Sequence, residues 1–296
     1  MSRPSVPAVA QTSGSGRGRE LAAPRARVWS ALGVALAAVG CAPPGPRAAD
    51  GATEALRTRQ AMATPAGQAL SVLRAGDTAG PLLVLVHGTP GSAASWADYL
   101  LSPPPGMEVV ALDRPGFGRS GPAGAVPGLV EQAAAVLALL PTVGRPVILL
   151  GHSLGGAIVA RVAADHPERI HAVVLLAASL DPALEEIHPM QRVGAWAPVR
   201  GLLPRVIRNA NAELMALKPD LEALSSALPR ITARVVIVHG SRDDLVPVAN
   251  VAFMQARLSG ARCVKTVLLE GQNHFLPWNA EGVVREAIAS AWAGPC

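Results

Sequence analysis

The sequence predicts an α/β fold: a doubly covered, mostly parallel sheet with a small helical cap inserted between strands. Two observations point there. From Gln68 onward, short runs of aliphatic residues alternate with helical segments, and the runs are continuously apolar, as strands buried on both faces must be. The alternation breaks once, over roughly fifty residues between Ser179 and Ala233 that contain no strand pattern. With 296 residues, half of them hydrophobic, the chain is long enough for a sizeable core and too apolar for disorder.

Residues 1–40 are expected to be a signal peptide. Arg3, Arg17, Arg19, Arg25 and Arg27 stand there against Glu20 alone, so a net charge of +5 leaves only +1 from Cys41 onward. The basic balance belongs to the leader, and no nucleic-acid partner is expected for the body. Thirteen apolar residues, Val28–Gly40, follow Arg27. A spanning helix needs about 20, so the run reads as a signal-peptide core. It ends in Ala38-Val39-Gly40-Cys41, which resembles a bacterial lipoprotein cleavage box. That resemblance implies lipidation at Cys41, a membrane anchor and a place in the bacterial cell envelope, on the periplasmic side. The alternatives are an ordinary secretory signal, or a cytoplasmic enzyme behind a mis-called start codon. Residues 41–66 are rich in proline and alanine and read as a tether.

Residues 67–296 then form the folded domain. Leu82–His87 is a buried strand bounded by Gly80-Pro81 and Gly88, and residues 92–101 form a helix. Glu108–Asp113 is a strand, and Leu129–Leu140 a helix stopped by Pro141. Pro146–Gly151 is a strand, and the helix from Ser153 to Asp165 ends before Pro167. Ile170–Ser179, Ala233–Gly240 and Val264–Gly271 are strands, and Glu281–Trp292 closes the chain as a helix. Within the gap, Leu214, Leu217, Leu221, Leu224 and Leu228 repeat at near-helical spacing, with Pro219 tolerable in the first turn of a new helix. A cap over about 181–230 would cross the C-terminal strand ends and roof a cleft, one of its faces packing on the sheet. The three cysteines, Cys41, Cys263 and Cys296, have no metal spacing. Cys263 and Cys296 could pair or stay free, and no cofactor is expected.

The chemistry centres on "VILLGHSLGGAIVARVA", Val147–Ala163, where a buried strand becomes a helix at Gly-His-Ser-Leu-Gly. A tight strand-to-helix turn strains its central residue and leaves no room for side chains two positions either way, which calls for Gly151 and Gly155. Ser153 Oγ is thereby lifted clear of the sheet, with the positive end of the helix behind it.

This motif and four others make the chain resemble the α/β-hydrolase family over about residues 68–296. They are "HGTPGSAASW", "LDRPGFGRS", "GHSLGG", "VHGSRDDLVP" and "EGQNHF", in the family's order. The resemblance implies an α/β-hydrolase fold and a serine hydrolase. A serine hydroxyl needs a base, and His274, late in the chain after a strand, fits the order Ser…Asp…His. His152 should point away from the nucleophile, and His87 and His239 should bind loop backbone. His166 and His171 lie in surface-like sequence, and His188, in the cap, could touch substrate. The base needs a carboxylate: Asp243 holds the family's position, with Asp244 and Asp181 as alternatives. The oxyanion would be held by the Leu154 and Thr89 amides, since Pro90 cannot donate.

Ser153 stands where epoxide hydrolases and haloalkane dehalogenases carry aspartate, and the sole tyrosine, Tyr99, lies outside the cap. Hydrolysis of a carboxylic ester through an acyl-serine is the expected reaction, on a small or medium apolar substrate. The cap's leucines, with Ile187, Met190, Val193 and Trp196, would favour an apolar group, and Arg192, Arg200, Arg205 and Arg208 would meet a carboxylate or form a solvated face. Amide, thioester or C–C hydrolysis, acyl transfer and a non-catalytic envelope binder are the alternatives. Oligomeric state is left open.

Overall fold

The computed structural model describes residues 51–61, 69–142 and 144–294. The expected signal segment, Cys41 and Cys296 lie outside them. Cys263 is disulfide-bonded.

Eight strands form one sheet among the described residues: β1 (Arg57–Ala61), β2 (Ala69–Gly76), β3 (Leu82–Val86), β4 (Glu108–Leu112), β5 (Val147–His152), β6 (Ala172–Leu176), β7 (Arg234–Gly240) and β8 (Cys263–Leu269). Their order is β1-β2-β4-β3-β5-β6-β7-β8. β2 runs antiparallel to both β1 and β4, and the other pairs are parallel. The continuous aliphatic runs follow from burial on both faces. Along β3, Val84 and Val86 enter one core and Leu83 and Leu85 the other. Helices α3 (Leu129–Leu137) and α4 (Leu154–Asp165) pack on the first core, and α2 (Ala97–Leu101), α9 (Leu276–Asn279) and α10 (Glu281–Ala293) on the second.

Three expectations are corrected. The tether was expected to reach residue 66, yet Gly51–Ala55 forms a helix, α1, and β1 pairs with β2. The cause is a buried ion pair: Arg57 Nη1 reaches Asp113 Oδ2 at 2.7 Å, and the Asp113 side chain is fully buried. Glu54 and Ser71 complete the shell around the same guanidinium. Secondly, Pro219 does not start a new helix. It lies inside one 21-residue helix, α7 (Arg205–Ser225). A proline there costs about 3 kcal/mol, but Leu217, Leu221 and Leu224 are buried on either side of it, and Asp220 Oδ2 accepts the Leu129 N–H at 2.9 Å. Packing outweighs propensity. Thirdly, helix α8 (Ala249–Arg257) has no counterpart in the sequence reading. Its Asn250 Oδ1 accepts from the Leu180 and Asp181 amides and ties down the base of the cap.

The cap spans the connection between β6 and β7, with α5 (Pro189–Ala195) and α6 (Ala197–Leu202) preceding α7. Among the described residues no helix is long and apolar enough to cross a membrane.

Candidate active site

From β3 the chain crosses to β4 on one side, then returns to β5 on the other. Such a reversal opens a crevice at the carboxyl ends of the two central strands. The loop after β3 and the turn after β5 therefore meet there, and the cap lies on the connection from neighbouring β6.

Ser153 occupies the turn with φ 57° and ψ −126°, a backbone that a side-chain-bearing residue adopts only under constraint. The constraint is close packing. A Cβ on Gly151 would overlap the Gly155 backbone, and one on Gly155 would overlap the carbonyls of Val86 and His87. The two glycines thus let the turn press on itself and on β3, rather than clearing space around the serine side chain. Ser153 N–H donates to the Leu176 carbonyl at 3.0 Å, which pins the strained residue to β6. Ser153 Oγ makes no hydrogen bond among the described residues and opens into a cavity of about 260 Å³.

Asp243 and His274 are brought together from the ends of β7 and β8. His274 Nδ1–H donates to Asp243 Oδ2 at 2.7 Å, and both residues are buried. Asp243 Oδ1 accepts the Leu245 and Val246 amides at 3.0 and 2.8 Å. Burial pushes the Asp243 carboxyl up, but its bond to His274, that ring's charge and the Val246 N–H hold it below its ordinary value. With Nδ1 so engaged, His274 Nε2 is the free ring nitrogen, and His274 lines the same cavity as Ser153. The two alternative acids are elsewhere. Asp244 is exposed, and Asp181 caps its own turn by accepting from Ala183.

The remaining histidines serve the frame. His152 Nε2–H donates to the His274 carbonyl at 3.0 Å, with the two rings 4.7 Å apart. Burial pushes the His152 pKa down to about 3, so it stays neutral beside His274. His87 bonds the Gly88 carbonyl and His239 the Val246 carbonyl, and burial lowers both of their pKa values. His171 packs on Trp292, and His166 is partly exposed. His188 caps α5 by accepting the Met190 amide and does not line the cavity.

Thr89 and Leu154 line the cavity, and neither amide finds a protein acceptor among the described residues. Leu154 opens α4, where an N–H has no intrahelical partner. The Thr89 hydroxyl is buried without a hydrogen-bond partner. Sequence reasoning passed over it, because only the amide was considered.

The cavity walls include two of the cap leucines expected to meet substrate and correct the other expected contacts. Leu214 and Leu217 of α7 line the cavity, while Leu221, Leu224 and Leu228 belong to the core beneath. Ile187, Met190, Val193 and Trp196 face outward, 38–64% exposed, and none lines the cavity. The helical spacing of the cap showed an apolar face but not what it would lie against. Arg192, Arg200, Arg205 and Arg208 also lie off the cavity. Arg205 instead bonds the carbonyls of Gly118, Ser120, Pro122 and Ala123. Apolar contact comes from Leu184, Leu245, Val246, Phe275 and Trp278. Of these, Leu245 and Val246 lay in the motif quoted around Asp243 and Phe275 in that around His274, while Leu184 and Trp278 lay in none.

The model for the alpha/beta hydrolase fold matches residues 81–202. A pimeloyl-[acyl-carrier protein] methyl ester esterase of Aeromonas hydrophila is 28% identical over 244 aligned positions, covering 69% of this chain and 92% of that protein. A pyrrolizixenacetamide deacetylase of Xenorhabdus hominickii is 39% identical, over 63% of this chain and 82% of its own length. Among solved structures, a hydrolase of Pseudomonas aeruginosa superposes with a TM-score of 0.62 at 20% identity, covering 80% of this chain and 98% of that one. An enol-lactonase of Burkholderia xenovorans gives 0.61 at 18% identity, over 79% and 99%.

Proposed function

The chain belongs to the α/β-hydrolase family and is a hydrolase, and we propose that it cleaves a carboxylic ester through an acyl-serine intermediate. The observation that carries this reading is that His274, bonded to Asp243 at 2.7 Å, lines one cavity with the strained Ser153. The ester reading is supported by the esterase and deacetylase relatives.

Ser153 Oγ attacks the ester carbonyl carbon as its proton passes to His274 Nε2. Asp243 holds the ring with Nδ1 protonated and stabilises the imidazolium that forms. Neutral His152 places no second cation against that ring. The developing oxyanion takes the Thr89 and Leu154 N–H groups, each worth about 10²–10³ in kcat. Collapse breaks the bond to the alcohol oxygen, which takes the proton from His274. Water, deprotonated in turn by His274, then attacks the acyl-serine, releasing the acid and restoring Ser153. Leu214, Leu217, Val246 and Phe275 supply the apolar wall for a small or medium acyl or alkyl group.

A fluorophosphonate probe tests the nucleophile. Wild type should label and Ser153→Ala should not, and an unlabelled wild type would overturn the reading. A panel of p-nitrophenyl esters of increasing chain length, run beside amides and lactones, reports the reaction class.

We also propose that the leader directs the chain to the bacterial envelope with a lipid on Cys41. The apolar run Val28–Gly40 and the Ala38-Val39-Gly40-Cys41 box support this. Radiolabelled palmitate should enter wild type but not Cys41→Ala. Equal incorporation, or none, would end the idea.

A further inference from the structure

We propose that Glu185 is a specificity-determining residue that selects esters bearing a cationic or hydrogen-bond-donating group and rejects those bearing a carboxylate. This rests on the reading of the Ser153 cavity as an ester-hydrolase site, and names the class of substrate it takes.

Glu185 lies at the base of the cap, in the segment joining β6 to α5, and lines the cavity together with Ser153. Ser179 links the two residues. Its amide donates to the Ser153 carbonyl at 3.4 Å, and its hydroxyl donates to Glu185 Oε1. Glu185 Oε2 takes no protein hydrogen bond among the described residues. An ionised carboxylate offers about four acceptor sites, and the protein fills one.

Burial pushes the Glu185 carboxyl above the usual carboxylate range, opposed by the Ser179 hydroxyl and the Lys218 charge and reinforced by Asp181. Lys218 reaches the Glu185 backbone carbonyl at 3.3 Å from an exposed position and does not line the cavity. Glu185 Oε2 is thus left without a protein donor in the wall of the cavity, where a ligand donor would supply one.

The rest of the wall has the same sign. Glu186 is the cavity's other carboxylate, and no lysine or arginine lines it among the described residues. A substrate carboxylate would meet like charge with no cation to offset it, which discriminates strongly in a partly dry site. A substrate ammonium or hydroxyl would complete the shell of Glu185.

The test uses the full chain and four p-nitrophenyl esters of matched length: hexanoate, ω-hydroxyhexanoate, ω-trimethylammoniohexanoate and the monoester of adipate. The readout is the ratio of kcat/KM between esters within one enzyme, so a general loss of rate cancels. In wild type the adipate monoester should fall about tenfold below hexanoate, and the ammonium ester should equal or exceed it. Glu185→Gln keeps the Ser179 bond but removes the charge. It should raise the adipate-to-hexanoate ratio about fivefold and erase any ammonium preference. A wild-type adipate-to-hexanoate ratio near one, or one unmoved by Glu185→Gln, would overturn the assignment of Glu185 while leaving the esterase intact. Hydrolysis of none of the four would sink the ester-hydrolase reading and this inference with it. Should the variant fail to fold, the wild-type ratios decide.

Discussion

Replacing Glu213 by leucine should unfold this protein more readily than any surface change and should also slow it. Glu213 sits on α7 with 1% of its side chain exposed, and Arg114, in the turn after β4, shows none. The pair is bidentate, Nη1 to Oε1 at 2.6 Å and Nη2 to Oε2 at 3.0 Å. At a charge separation of about 4 Å and an effective dielectric of about 20, the attraction is about 4 kcal/mol. Losing one partner leaves a buried guanidinium whose remaining acceptor in the loop is the Gly88 carbonyl at 3.0 Å. A cost of about 3–5 kcal/mol follows, or about 6–20 °C in Tm for a domain of this size. Urea unfolding at constant m measures it. The double variant Arg114→Met with Glu213→Leu should recover most of the stability, because an apolar pair carries no desolvation cost. Its activity should stay low, since Arg114 also holds the carbonyl of Gly88, the residue before Thr89. A single-variant cost under about 1 kcal/mol, or a double variant showing the plain sum of both losses, would refute the reasoning.

Further outcomes follow from the same contacts. Deleting residues 1–61 removes Arg57 from the buried Asp113 carboxylate and uncovers the edge of β2, and should cost at least about 3 kcal/mol in urea unfolding. Deleting 1–50 keeps both, and equal stability of the two truncations would contradict the assignment of 51–61 to the domain. Stability should fall on acidification from pH 6.5 toward 3. His152 resists protonation in the folded state, down to about 3, and accepts it once unfolded, near 6.5. That single site contributes a slope of about 1.4 kcal/mol per pH unit, lost as pH drops. His152→Gln should flatten the profile, and an unchanged slope would count against a buried neutral imidazole. Pro219→Ala should stabilise α7 by about 1–2 kcal/mol, because it restores an N–H and removes a ring clash at an exposed position. A lower urea midpoint for that variant would show that the helix is not strained there.

Much of the fold, and the outline of the candidate site, was legible in the sequence because both depend on short-range sterics. A strand buried on two faces must be apolar at every position, so β3, β5, β6 and β7 announced themselves. The strained turn at Ser153 demands Gly151 by its own backbone and Gly155 by its closeness to the end of β3. The order of Ser153, Asp243 and His274 along the chain singled out residues after β5, β7 and β8, and the fold joins His274 to Asp243 and sets His274 in one cavity with Ser153. Other features were decided only by tertiary structure, since they join residues that share no local pattern. Arg57 and Asp113 lie 56 positions apart, and Arg114 and Glu213 lie 99 apart. Neither pair has a periodicity to reveal it, so a proline-rich tether was the natural reading of residues 41–66, and the buried link from the cap to the turn after β4 went unseen. Helical spacing identified apolar cap residues, but not that Leu214 and Leu217, rather than Leu221, Leu224 and Leu228, would face the cavity while Trp196 stays 64% exposed. A repeat of period 3.6 specifies a face of a helix, whereas the body against which that face rests is chosen by the packing of the whole chain.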